Sequence, residues 1–227
     1  MYDIALSVNA CIRSNTRADL AWLVSEQSFS DANVTDAIVF TPGGGKIGSV
    51  LGGAFDGHFS DVTSLKLSHG RVVPVTVGPL ESALTNIPMG TELKFIVIPA
   101  DALEEVLWPA LLQRESIAIV SYIKDNEIER TEVFTTATIL AADPEVVELF
   151  NKNKSAVADL GERIVTVYHP VTRLAIAGSG PIADAIEAGA KVLGWQTTVD
   201  PRSENFAGIA ATLSEIDAVI ILSLIHI

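Results

Sequence analysis

Between Arg173 and Arg202 the chain spells a strand, a glycine turn, a helix, a second strand and an acid, the order that opens a dinucleotide-binding fold. The strand is Leu174-Ala175-Ile176-Ala177 and the turn is Gly178-Ser179-Gly180-Pro181-Ile182-Ala183. The helix runs through Ala185, Ile186, Ala190 and Leu193, and the second strand, Trp195 to Val199, ends at Asp200. Gly178 permits the tight turn, Gly180 lets backbone approach a pyrophosphate, and Ala183 is small enough for helix to lie on strand. The helix start offers free N–H groups and a positive dipole end to an anion. Asp200 stands about 20 residues on, where an acid reaches a ribose hydroxyl. Pro181 suits the first helical turn but removes one donor. Ser179 adds a hydroxyl that serves an anion or a cap. The same turn is also compatible with merely joining strand to helix.

This unit predicts an α/β chain: a mixed α+β N-terminal domain over residues 1–150, then a Rossmann-like parallel sheet over 160–222. Right-handed crossovers place the strands 174–177, 196–199 and 217–222 in the order 3-2-1. That order leaves the first strand as an apolar edge, so edge-to-edge association and poor solubility are expected. Upstream, residues 3–14 read as an amphipathic helix, and Leu20–Val24, Asp36–Phe40, Val72–Val77 and Leu93–Ile98 as strands. Asp101 with Glu104 reads as a capping box for a helix that Pro109 shortens. Ile117–Ile123 and Glu127–Phe134 read as a hairpin over Lys124-Asp125-Asn126. Asp143-Pro144-Glu145 reads as a helix start, and the polar run Asn151 to Ser155 as a domain connection.

A second glycine-rich stretch runs from Gly43 to Gly57. Within it Gly45, Lys46, Gly48, Ser49, Gly52, Gly53 and Asp56 are candidate ligand contacts, because glycine lets a ligand lie against backbone and Lys46 and Ser49 suit a phosphate. A phosphate loop would need Lys then Ser or Thr after Gly48; the chain has Ser49-Val50. A tight turn leading into buried structure explains the glycines equally well.

The net charge is −13 and the sequence pI about 4.6, which argues against nucleic acid and anionic membrane as partners. Hydrophobic residues make up 48%, enough for a buried core, yet no apolar run is long enough to span a bilayer. With no leader read at Met1, a soluble cytoplasmic protein is expected. One cysteine, Cys11, forms no internal disulfide and reads as a buried hydrophobe. His58, His69, His169 and His226 show no ligand spacing, and no Gly-x-Ser-x-Gly elbow occurs, so neither a metal site nor a catalytic residue is assigned.

Taken in order, Gly48-Ser49-Val50-Leu51-Gly52-Gly53-Ala54-Phe55-Asp56, Gly178-Ser179-Gly180, Leu193-Gly194-Trp195 and Asp200-Pro201-Arg202 resemble the signatures of the XdhC/CoxI family of molybdenum-cofactor maturation proteins. The resemblance implies a chaperone. It would bind the molybdenum cofactor, a molybdopterin in mononucleotide or dinucleotide form, assist its sulfuration, and insert it into an apo-molybdenum hydroxylase of the xanthine dehydrogenase or CO dehydrogenase type. It also implies a cysteine desulfurase as a further partner and leaves a homodimer open. Cofactor contacts would come from Gly178, Ser179, Gly180, Pro181, Ile182, Asp200 and Arg202, with the 43–56 segment as a flap. Two family cysteines are absent: Ala54 holds one place, and Ile87-Pro88-Met89-Gly90 stands near the other. The family's second domain continues further, so the resemblance implies a chain cut short after the third strand, with 223–227 a non-native tail. The alternative is a fragment of an NAD(P)-dependent oxidoreductase, or a nucleotide-binding regulatory domain, resting on Gly178, Gly180 and Asp200.

Overall fold

The computed structural model describes residues 1–25, 36–64, 67–202 and 216–222. They form two compact units, Met1–His169 and Pro170–Ile227. The first unit contains α1 (Tyr2–Arg13), β1 (Asp19–Leu23), β2 (Ala37–Thr41), β3 (Gly45–Ser49), α2 (Asp56–Ser64), β4 (Arg71–Thr76) and α3 (Pro79–Thr85). It continues with β5 (Glu92–Pro99), α4 (Leu107–Leu112), β6 (Ile117–Lys124), β7 (Glu127–Thr135), α5 (Pro144–Phe150), β8 (Ala156–Asp159) and β9 (Arg163–Tyr168). The second unit contains β10 (Arg173–Ala177), α6 (Pro181–Val192), β11 (Gln196–Asp200) and β12 (Ala218–Ile221).

The nine strands of the first unit make one sheet in the order β3-β2-β1-β5-β4-β7-β6-β9-β8. Every pairing in it is antiparallel. The join between β4 and β7 is a single register pair, Arg71 with Glu127. So the sheet consists of a five-stranded and a four-stranded half with a hinge-like seam. The halves fold face to face. Trp22 on β1 reaches Thr166 on β9, Nε1 to Oγ1 at 3.4 Å, and Lys94 on β5 donates to Asp159 on β8 at 2.6 Å.

This folding explains why so many strands are apolar on both faces. In β1, Leu20 and Trp22 face the central core with Ile96, Ile119, Ile164 and Tyr168, capped by α1 and α4. Ala21 and Leu23 point the other way, into a second core with Phe40, Phe55, Phe59 and Phe95. The four-stranded half buries its outer face against α5 through Ala118, Val120, Val146 and Phe150. A strand buried on both sides loses the polar alternation of a half-exposed one.

Local chemistry sets the elements. The β6–β7 hairpin turns on Asp125 and Asn126, whose φ values of 53° and 63° suit the tight turn that matches strand twist. Asp143 stands at the N-cap position of α5, as expected, with Pro144 at the first helical position. Its carboxylate nevertheless pairs with Arg163 rather than with the helix backbone; Arg163 also reaches Glu145 at 2.9 Å. The expected capping box at Asp101 fails. Residues Ala100–Ala102 form a 3-10 turn, and Glu104 accepts from the Val133 N–H at 3.3 Å. The helix starts at Leu107, which puts Pro109 in the first turn, where it costs little.

Tyr168 is fully buried, and its hydroxyl has no hydrogen-bond partner among the described residues. Burial raises its phenol well above the ordinary value. An unpaired buried hydroxyl costs about 1–3 kcal/mol. Tyr168→Phe is therefore expected to be neutral or stabilising, by up to about 2 kcal/mol. A loss above 1 kcal/mol in urea unfolding would mean that the hydroxyl has a partner.

His169 ends this unit as a clamp. Its Nδ1 meets Ser116 Oγ at 2.8 Å and its Nε2 meets the Phe150 carbonyl at 3.0 Å. A carbonyl only accepts, so Nε2 carries the proton and Nδ1 accepts from Ser116. Burial lowers the imidazole below its ordinary 6.5, against the Phe150 carbonyl, which favours the charged form. Above pH 6.5 both folded and unfolded chains hold a neutral ring and the contribution is complete. Below it the unfolded chain takes the proton first, so the contribution declines as pH falls. The stability gap between wild type and His169→Gln should shrink from pH 7.5 to 5.5; a constant gap would contradict the assignment.

The second unit corrects the expected fold. The dominant sheet of the chain is antiparallel, not a Rossmann-like parallel sheet. The parallel component is three-stranded and ordered β11-β10-β12, that is second-first-third, where 3-2-1 was expected. β10 is thus central, with Leu174, Ala175, Ile176 and Ala177 all buried, and it is not the exposed edge the sequence suggested. The association expected at that edge loses its basis. β11 and β12 are the outer strands, and Val199, Val219 and Ile221 on them are exposed. α6 covers one face through Ala183 and Ala190. The proposed tail 223–227 lies outside the described residues.

Candidate functional site

The candidate contacts fall into two stretches, one in each unit. In the second unit, Gly178 closes β10 with φ 134°, and its N–H donates to the Asp200 carbonyl at 2.7 Å. A Cβ on Gly178 would meet Leu222 Cβ at 2.7 Å, so this glycine is required for packing. Gly180 is different. It is the N-cap of α6 with φ 100° and ψ −175°, and a Cβ there would meet nothing within 4 Å. That backbone conformation is essentially reserved to glycine. Ser179, Gly180, Pro181 and Ile182 are exposed, Ile182 at 66%. The bend therefore presents main chain, and among the described residues no side chain of its own unit lies against Gly180. The first-turn N–H groups of Ile182 and Ala183 lack intrahelical acceptors by construction. Pro181 supplies none, and Asp184, also in the first turn, partly offsets the positive dipole end.

Asp200 ends β11, its Oδ1 accepting the Arg202 main-chain N–H at 2.9 Å. The Arg202 Nε stands 3.5 Å from the same oxygen. This local turn holds the exposed Arg202 beside the strand end and occupies one oxygen that a ribose hydroxyl would need.

In the first unit, Gly45, Lys46, Gly48 and Ser49 lie on β3, an edge strand reached by a turn over Gly43 and Gly44, whose φ values are 90° and 83°. Thr41 Oγ1 donates to the Gly45 carbonyl at 3.4 Å. Gly48 serves packing: a Cβ would meet the Ala37 carbonyl at 2.4 Å and Ile4 Cγ2 at 2.6 Å, blocking α1. Ser49 is exposed in register with Ala37. Gly52 and Gly53 form a 3-10 turn with Leu51, and all three have positive φ, including 49° for the buried leucine. Asp56 opens α2. Its Oδ2 accepts a hydrogen bond from Lys46 Nζ at 3.1 Å, and its Oδ1 is buried without a partner among the described residues. Lys46 Nζ also lies 5.9 Å from the centre of the Phe40 ring.

The structure thus pairs Lys46 with Asp56, ten residues apart, and Asp200 with Gly178 and Arg202. Sequence reasoning missed Phe40, Thr41 and the strained Leu51. Nothing in a plain Phe, Thr or Leu marks such a role. It also missed Asp36, whose carboxylate takes the Leu51 N–H and is raised by burial, against the N-terminal amino group and that bond. Ala54 is half-buried against the aromatic core and offers no thiolate. Among the described residues no group of three His, Cys, Asp or Glu is placed to hold a metal ion. Nor is any described helix long and apolar enough to cross a membrane.

No protein-family model and no curated protein matches the chain. A solved structure does. It is described as a xanthine dehydrogenase from Bacillus halodurans, at a TM-score of 0.51 and 17% identity, over 98% of this chain and 68% of that one. At that identity the likeness is one of fold. It extends over both units and so over both candidate stretches.

Proposed function

We propose that the chain binds the molybdenum cofactor, assists its sulfuration and hands it to an apo-molybdenum hydroxylase of the xanthine dehydrogenase type. The observation that carries this reading is the open main-chain bend at 178–183, on a fold shared with a structure described as a xanthine dehydrogenase. The residues present fit the phosphorylated end of such a group. Main-chain N–H groups at Ser179, Gly180 and Ile182 and the Arg202 guanidinium suit a phosphate. The Ser179 hydroxyl adds a further donor. They do not fit its metal end as well, because Ala54 stands where the resembling family has a cysteine. Binding through the phosphate and pterin is therefore the expected mode. When bound, the cofactor supplies redox chemistry to its eventual hydroxylase; this chain's residues hold and release it.

The nicotinamide alternative is less favoured, because Asp200 spends an oxygen on the Arg202 N–H. Parallel titrations with molybdopterin and with NADH, each read by fluorescence, separate the two. Saturable molybdopterin binding without NADH binding supports the proposal, and the reverse sinks it.

A further inference from the structure

We infer that the apolar ridge of α3 and the loop after it, Leu80, Leu84 and Met89, docks a protein surface with an apolar socket and a basic rim. α3 is a helix with no buried side chain, and it packs beside the Leu51–Gly53 turn of the candidate site. Leu80 and Leu84 are one turn apart on the same helix face and are 66% and 63% exposed. Met89, 67% exposed, belongs to a loop tied back to the start of α3. The Gly90 N–H donates to the Val77 carbonyl at 2.8 Å, and the Val77 N–H to the Thr91 carbonyl at 2.9 Å. That tie brings Met89 to the Leu80 end of the ridge. Exposed Leu and Met side chains beside a candidate site suit an adaptable contact surface.

The rim fixes the partner's charge. Glu81 lies on α3 itself but is half-buried and faces His58 of α2 at 3.6 Å, so the open charge of the rim comes from Asp61 and Glu92. Asp61 is three residues after His58, on the same side of α2. Glu92 follows the Met89 loop and is exposed, and the next cation, Lys94, is already tied to Asp159 at 2.6 Å. On a chain of net charge −13, this acidic border selects Lys and Arg and speeds their approach at low salt.

The inference rests on the proposed function only for its probe, apo-xanthine dehydrogenase made without molybdenum. Wild-type chain should bind the immobilised probe, with an association rate that falls as salt rises. The double change Leu80→Glu/Leu84→Glu should weaken binding at least tenfold, and Glu92→Lys should slow association, both with unchanged pterin content and urea midpoint. Met89→Glu, in the loop, supplies an independent variant should the helix changes disturb folding. Unchanged affinity in these variants, or no binding by wild type, overturns the docking surface. Ridge-dependent binding by a chain that takes up no pterin would keep the surface and remove the cofactor reading instead.

Discussion

Trp22→Ala is expected to lower the unfolding free energy by about 3–5 kcal/mol, the range for deleting a large buried aromatic side chain. Trp22 has no exposed surface and sits on β1, paired with Ala37 on one side and Ile96 on the other. It lies in the central core between the two halves of the sheet. Removing the indole opens a cavity that backbone on both sides prevents from collapsing. It also strips the buried Thr166 hydroxyl of the Nε1 donor at 3.4 Å. Because the β4–β7 seam is a single register pair, the halves depend on this core to stay face to face. Domains of this size hold about 5–15 kcal/mol, so the change would consume a large share. Urea unfolding measures it, and a loss below 1 kcal/mol would mean that the halves do not pack through Trp22.

Ser179→Asp is expected to weaken molybdopterin binding at least tenfold while leaving the fold intact. Ser179 is exposed, so the change adds charge without disturbing packing. A carboxylate about 4 Å from a bound phosphate costs about 1 kcal/mol in water and about 4 kcal/mol at the effective dielectric of a protein surface. Val192→Asp is the control. It adds the same charge at a residue 87% exposed at the far end of α6. A helix of that length puts it roughly 16 Å away, beyond the screening length of about 8 Å at physiological salt. Equal losses in the two variants would indicate a general charge effect in place of a phosphate seat at the bend.

The local elements were readable because their signals are local. Asp125-Asn126 marked a tight turn, Asp143-Pro144 a helix start, and Gly178 to Asp200 a strand–helix–strand crossover. The sheet order was not readable from those signals, because the handedness of a crossover does not say on which side of the first strand the third one pairs. A usable clue was present. Leu174-Ala175-Ile176-Ala177 is wholly apolar, as a central strand should be, whereas Gln196-Thr197-Thr198-Val199-Asp200 is polar at all but Val199, as an edge should be. The large antiparallel sheet is not legible either, for a related reason. β1, β5, β6 and β9 bury both faces, so they carry no alternation that would tie one strand to the next. In the candidate stretches, sequence indicated where backbone bends but not which glycines are open. Gly48 and Gly178 are filled by Ile4 and Leu222, while Gly52 and Gly180 face open space. That distinction depends on contacts between residues far apart in the chain.

The most direct measurement is the pterin content of the protein purified from a host that makes the molybdenum cofactor, released by denaturation, oxidised and read by fluorescence. Wild type and Val192→Asp should each carry close to one pterin per chain, and Ser179→Asp almost none. Pterin-free wild type that still unfolds cooperatively in urea would contradict the claim that the bend at 178–183 holds a phosphorylated pterin.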